Sequence, residues 1–495
     1  MTRPGAGRCP ALRLLHAEWT KFRSVRGWVR GSAAAALLIL VFPLAGLGGG
    51  HREQARPIPI GPDGEAVSDA FYFVHRPLPG NGRITVAVGS PTSLRAEDGG
   101  ENNPWAKAGL IITAGPEAGA RYAAIMVTGR HGVRMQHDYL HDQAGLPEAA
   151  SAVRWLRLTR TGETITGEDS TDGTHWNPVG TARLPGPAAT VQAGLFVACP
   201  QYVHGLGVAG DVATAAFGVP QLAGDWPAAT WTGDQIGAHA ATFAGYPPGT
   251  SGQFTRTGSG FTVTGAGDLA PATRADIVPA GTDGDLLFGT APALIVIVVV
   301  ATLMITTEYR YGLIRGTLSA GTRRGRVLLA KAAVLAGVTF TTSLVATVLA
   351  VSLWSRVVRH LGVYVFPTTS GALLRAEVGT AALLAVAAVF ALGVGTLLRR
   401  SATAVTAVVV ATVLPYLLAL TPFLPPPMVQ WLTRVTPAAA LAVQQTLIRY
   451  PQVDSVYTPA NGYYPLPPWA GLAVLGGYAA LTLTAAVVVL RRRDA

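Results

Sequence analysis

The chain is poor in lysine and almost without cysteine. Of its 38 basic residues only Lys21, Lys107 and Lys331 are lysines. A phosphate-cradling loop of the pattern Gly-x-x-x-x-Gly-Lys-Ser/Thr needs a lysine directly after a glycine, and none of the three follows one. The chain therefore supplies no nucleotide site of that type. Its two cysteines, Cys9 and Cys199, lie far apart, which excludes a disulfide framework, a zinc quartet and a redox Cys-x-x-Cys pair. Acidic and basic residues are also missing from the long apolar runs except at their edges, so a proton relay through them is excluded. The formal net charge of +11 comes from arginines beside those runs, not from a stripe on one soluble fold. That distribution argues against a nucleic-acid partner.

What is present divides sharply. The 495 residues have a positive mean hydropathy of +0.36 although a large middle portion is polar, which predicts membrane helices plus a soluble module. Residues 1–30 read as a tail and a basic amphipathic helix lying on the inner leaflet. Leu12, Leu15, Trp19, Phe22 and Val29 form its apolar stripe, and Lys21, Arg23 and Arg26 face lipid phosphates or water. Apolar runs at 31–50, 285–306, 327–353, 376–398, 402–424 and 469–490 are each long enough to cross a hydrocarbon core of about 30 Å, giving six spans. The prolines at Pro415, Pro422 and Pro425–Pro427 predict that the fifth span is kinked or ends early. Residues 307–326 form a cytoplasmic loop, 425–468 an outer loop with an amphipathic or re-entrant helix, and 491–495 a cytoplasmic tail. Eighteen basic residues flank the spans on the sides assigned inside and seven on the sides assigned outside. The positive-inside rule then puts both termini in the cytoplasm of a multi-pass plasma-membrane protein and residues 51–284 outside.

Residues 51–284 have a different texture. Short apolar segments at 83–88, 108–113, 122–128, 155–160 and 193–197 are separated by turn residues, which predicts an all-β sandwich or jelly roll. The sequence Thr-Asp-Gly-Thr-His-Trp at 171–176 signals a hairpin with a type I′ turn. The fold class is thus an α-helical polytopic membrane domain carrying a large inserted all-β domain. The pattern Trp105-x-Lys107-Ala-Gly-Leu110, Trp155-Leu-Arg-Leu158, Ser170-x-Asp172-Gly-x-x-Trp176 and Gly194-Leu-Phe196 resembles the concanavalin A-like lectin/glucanase jelly roll. Exposed Trp105, Tyr122 and Tyr139 are candidates for ligand binding there, a cell-surface glycan being the candidate ligand. Glu163, Glu168, Asp169 and Asp172 lack the Glu-x-Asp-x-x-Glu spacing of such glucanases, so hydrolysis is not expected. His137, Asp138, His141 and Asp142 have a metal-like composition but read as a solvated loop, and no metal site is assigned.

The most telling stretch is Met304–Lys331, a compact basic segment between two charge-free runs. Within it, Ile305-Thr-Thr-Glu308-Tyr309-Arg310-x-Gly312-x-Ile-Arg315, followed by Arg323-Arg324-Gly-Arg326 and Lys331, resembles the first cytoplasmic loop of actinobacterial ATP-binding cassette (ABC) exporter permeases. The start, Ala17-Glu18-Trp19-Thr20-Lys21-Phe22-Arg23-Ser24-Val25-Arg26, is similar to their N-terminal helix, and the match covers 11–50 and 285–495. The resemblance implies a transport subunit and no enzyme. It would pair with a second copy of itself or a homologous permease and with a separate ATPase subunit that binds ATP and Mg, so this chain needs no cofactor. It implies that Glu308, Tyr309, Arg310, Gly312, Arg315, Arg323 and Arg324 form or border the coupling helix. The large outer insertion departs from that family. The competing expectation is a membrane-anchored surface carbohydrate-binding or sensor protein, whose helices only hold the β domain in the bilayer.

Overall fold

A computed structural model describes residues 10–43, 56–145, 147, 153–186, 190–204, 207–277, 280–311, 324–421 and 423–492. It contains two compact units: a helical one of Met1–His51, Pro279–Ile448 and Tyr457–Ala495, and a β unit of Arg52–Val278 and Arg449–Val456.

The helical unit is built from α1 (Pro10–Ser24), α2 (Arg26–Val41), α3 (Thr290–Arg310), α4 (Arg324–His360), α5 (Ser370–Leu398), α6 (Ser401–Leu420), α7 (Pro426–Val435) and α8 (Pro468–Arg492). Five of these, α3 to α6 and α8, are long and apolar enough to cross a membrane, and the bent pair α1–α2 makes a sixth if counted as one span. The expected interfacial helix over 11–30 is interrupted. Val25 adopts an extended conformation and the axis turns by 79°, so Arg26 starts the apolar helix α2 and does not continue the basic one. The expected fifth span ends at Leu420, ahead of the proline cluster, and Pro415 is accommodated inside it. Helix α7 covers part of the predicted amphipathic piece, and Pro437–Gln444 continues as a 3-10 segment.

Packing follows side-chain size. α3 and α5 are enclosed over most of their apolar length and α8 is largely uncovered. A Cβ on Gly393 of α5 would stand 2.8 Å from Thr482 Oγ1 of α8, so only glycine permits this close approach of the two helices. Gln444 of the 3-10 segment donates to Thr290 Oγ1 of α3 at 2.8 Å and Thr380 Oγ1 of α5 at 3.2 Å, a buried polar tie among apolar neighbours. Arg399 at φ 55° stops α5 and reverses the chain into α6.

The β unit is a sandwich of two antiparallel sheets. One orders Thr232–Ile236, Phe71–Leu78, Val191–Ala198, Lys107–Thr113, Tyr122–Thr128, Val133–His137 and His141–Ala144. The other runs Asn177–Arg183, Thr164–Ser170, Arg154–Thr161, Gly82–Val88, Val212–Phe217, Gly260–Ala266 and Gln253–Thr257, with two short strands alongside. Alternation decides which face each side chain takes. Val74, Leu110, Ile125 and Leu195 meet Ile84, Leu156, Leu158 and Val263 between the sheets. The opposite face of the first sheet is buried too, with Phe71, Phe73, Ile111, Tyr122, Met126 and Phe196 in a second cluster roofed by Val67 and Leu269. The expected strands all form within a residue or two of their sequence bounds. The hairpin at 171–176 does not have the expected two-residue turn. Only Gly173 takes a positive φ of 76°, and Asp172 Oδ1 instead accepts from the amides of Thr174 and His175 at 2.8 Å each.

Candidate functional site

The sequence placed Leu12, Leu15, Trp19 and Phe22 on the apolar stripe of an interfacial α1. Phe22 is buried at 4 % exposure, whereas Leu12 and Trp19 are 56 % and 44 % exposed. The residue that shares the buried face with Phe22, one turn earlier, is Glu18. A carboxylate turns inward at the expense of apolar neighbours only if a cation waits for it.

That cation is Lys331 of α4, 1 % exposed, whose Nζ lies 2.7 Å from Glu18 Oε2 and 2.8 Å from Glu308 Oε1 of α3. Lys21 completes the group: its Nζ is 3.1 Å from Glu18 Oε1 and 3.6 Å from Glu308 Oε1, at 38 % side-chain exposure. Two carboxylates and two ammonium groups therefore interlock as a neutral quartet that ties α1 to the two helices on either side of the basic loop. Such a buried cluster does little for net stability compared with apolar packing, but it fixes register, because removing one member leaves an uncompensated buried charge. Beside it, the Arg399 guanidinium lies 5.0 Å from the Tyr309 ring centroid, so a cation from the α5–α6 turn meets the end of α3.

The predicted coupling residues divide. Glu308 is buried in the quartet, Tyr309 contacts Arg399, and Arg310 stacks over Tyr311 at 5.8 Å. Gly312, Arg315 and Arg323 lie outside the described residues, and Arg324 opens α4. Of the interfacial residues, Arg23 and Arg26 are exposed and Lys21 is in the quartet. Sequence reasoning did not single out Glu18 or Lys331. Their signal was rarity: Glu18 is the sole acid of α1, and Lys331 is the only lysine of α4.

In the β unit Trp105, Tyr122 and Tyr139 are not on an accessible surface as expected; they are 3 %, 1 % and 1 % exposed. The two tyrosine rings meet edge to face at 4.8 Å, Tyr139 donates to Ala120 O at 2.9 Å, and burial raises both hydroxyl pKa values well above the usual range. The His137–Asp142 stretch is the tip of a hairpin, not a solvated loop. Asp138 and Tyr139 turn it at φ 46° and 64°, Asp138 pairs with Arg121 at 2.7 Å, and Asp142 pairs with Arg134. Burial, followed by the neighbouring His141, lowers His137 to about 4. Among the described residues no group of three or more His, Cys, Asp or Glu side chains is arranged to hold a metal. The acids Glu163, Glu168 and Asp172 are occupied by Arg183, Arg157 and His175 respectively.

Fold and composition define a class: a chain with a large β sandwich and a bundle of five or six apolar helices. No family model matches the chain, and no curated protein matches it. Among solved structures it is similar to a functionally unknown protein from Saccharomyces cerevisiae, at 15 % identity and a TM-score of 0.24, over 36 % of this chain and 85 % of that one. It is also similar to Scytalido-glutamic peptidase with a peptide-based transition-state analogue, at 7 % identity and a TM-score of 0.23, over 40 % of this chain and 98 % of that one. Neither likeness bears on the activity of this chain.

Proposed function

We propose that this chain is the permease subunit of an ATP-driven ABC exporter, working as a dimer and driven by a separate ATPase subunit that binds ATP and Mg. In this reading the termini and the basic loop face the cytoplasm of the cell membrane, and the β unit stands outside with a binding or gating role. The observation that carries it is the buried quartet of Glu18, Lys21, Glu308 and Lys331. The sequence carries no phosphate loop, so in this reading a partner supplies the energy, and α1 with the basic loop is the place where a soluble partner meets the helices. The quartet ties that place rigidly to α3 and α4. A helix needed only to anchor a surface domain would gain more from apolar contacts.

The test is whether the full chain co-purifies from its native membrane with a P-loop ATPase, with ATP hydrolysis measured for the pair. Arg310→Ala leaves the quartet intact and is expected to weaken the complex or uncouple hydrolysis at unchanged thermal stability. Unimpaired complex formation and hydrolysis in the Glu308→Ala/Arg310→Ala double variant would sink the proposal.

A further inference from the structure

The connection from the 3-10 segment Pro437–Gln444 to α8 does not remain in the helical unit: Arg449–Val456 is part of the β unit. This strap is well seated there. Gln452, Val453 and Val456 are buried, Gln452 Nε2 donates to Leu140 O at 3.4 Å, and Ser455 Oγ lies 2.9 Å from Thr273 Oγ1. Val453 and Asp454 form one wall of a cavity of about 20 Å³, room for a single water molecule.

The cavity is rich in carboxylates. Asp268, Asp276 and Asp454 all line it. Asp268 is held by Lys107 Nζ at 2.5 Å, Asp276 Oδ2 accepts from Thr273 N at 2.6 Å and Thr273 Oγ1 at 2.8 Å, and the Tyr246 hydroxyl donates to Cys199 O at 2.8 Å. Two further lining side chains, Gln201 and Thr242, are 8 % and 2 % exposed, and the Gln201 Oε1 acceptor and the Thr242 hydroxyl have no partner among the described residues. Three carboxylates around one buried lysine are a poor match when every acid is ionised. A proton on one of them removes a negative charge and supplies a donor.

We propose that Arg449–Val456 is a proton-sensitive strap: protonation of Asp276 or Asp454 locks it onto the β unit, and ionisation loosens it. The inference does not depend on the transport reading. Burial pushes Asp276 up to about 6 from 3.8, with Asp268 adding to the rise, and burial also raises Asp454. A group whose pKa is raised in the seated state favours seating at low pH, and that contribution is lost as pH rises through about 6. The other groups facing the cluster are accounted for. Tyr246 and Cys199 stay neutral because burial raises both, Lys107 stays paired with Asp268, and the Arg449 charge lowers Asp454 only in part. His131, facing Asp454, has its pKa lowered chiefly by burial and so opposes seating once it protonates.

Hydrogen exchange on the full chain in detergent, corrected for intrinsic rates, tests this. Amides 452–456 are expected to be more protected at pH 5 than at pH 7.5, by up to about tenfold, the ceiling reached when Asp276 regains its free value on unseating. Asp276→Asn should be equally protected at both pH values, and His131→Gln should widen the wild-type difference. Should Asp276→Asn not fold, the pH midpoint of the wild-type change decides: a midpoint near 6 supports the strap and no transition between pH 5 and 7.5 overturns it. Retention of the difference in Asp276→Asn overturns it as well, as does protection at pH 7.5 that requires added Ca²⁺.

Discussion

Replacing Lys331 by methionine removes the centre of the buried quartet while keeping the apolar stem. Glu18 and Glu308, at 3 % and 9 % side-chain exposure, are then left facing each other with only Lys21 to offset them. Breaking a buried pair in this way costs about 3–5 kcal/mol, and the partial compensation from Lys21 argues for the lower end. At about 3 kcal/mol the detached state of α1 becomes roughly 150-fold more populated. Hydrogen exchange over residues 12–24 of the full chain reads that population directly. Two further variants separate charge from packing. Lys21→Met, whose ammonium is 38 % exposed, should cost no more than about 1 kcal/mol. Lys331→Met combined with Glu18→Leu and Glu308→Leu should recover most of the loss, because no buried charge then remains and Lys21, 38 % exposed, can turn to water. Unchanged exchange of α1 in Lys331→Met, or equal losses for Lys331→Met and Lys21→Met, would refute the reasoning.

Two other expectations concern the β unit. A Cβ on Gly194 would stand 2.1 Å from Val74 O on the neighbouring strand, so Gly194→Ala should destabilise this unit by about 3 kcal/mol or more, seen as a lowered midpoint of urea unfolding followed by tryptophan fluorescence. Asp69, which accepts from Gly119 N at 2.7 Å, is pushed up to about 6 by burial, so its contribution is complete below about pH 4 and lost as pH rises through about 6. That shift corresponds to roughly 3 kcal/mol, and Asp69→Asn should flatten the pH dependence of thermal unfolding between pH 4.5 and 7. An unaltered profile would count against Asp69 as its source.

Much of the architecture was legible in the chain because its signals are local. Unbroken apolar runs 20 residues long fold as helices whatever surrounds them, and the helices fall where the runs do. The same is true of strands between turn residues. A finer cue was present as well: 108–113 and 122–128 are apolar at nearly every position, as strands buried on both faces must be, whereas 155–160 alternates and has one face open. What failed was the orientation of side chains. Trp105, Tyr122 and Tyr139 looked like surface aromatics, since nothing in the sequence shows that Val67 and Leu269 roof the two tyrosines or that Trp105 stacks on His131. Hydrophobic periodicity assumes that apolar residues are the ones drawn inward, and Glu18 is drawn inward by a lysine more than 300 positions away.

By itself, then, the sequence determined the division into apolar helices and a β sandwich. Tertiary structure alone decided that Glu18, Glu308 and Lys331 meet, and that Arg449–Val456 leaves the helical unit to close a wall of acids in the β unit. The reason is the range of the forces involved. Hydropathy and turn chemistry act within a few residues, whereas the pairing of a buried charge is satisfied by whichever opposite charge the finished fold brings within about 3 Å.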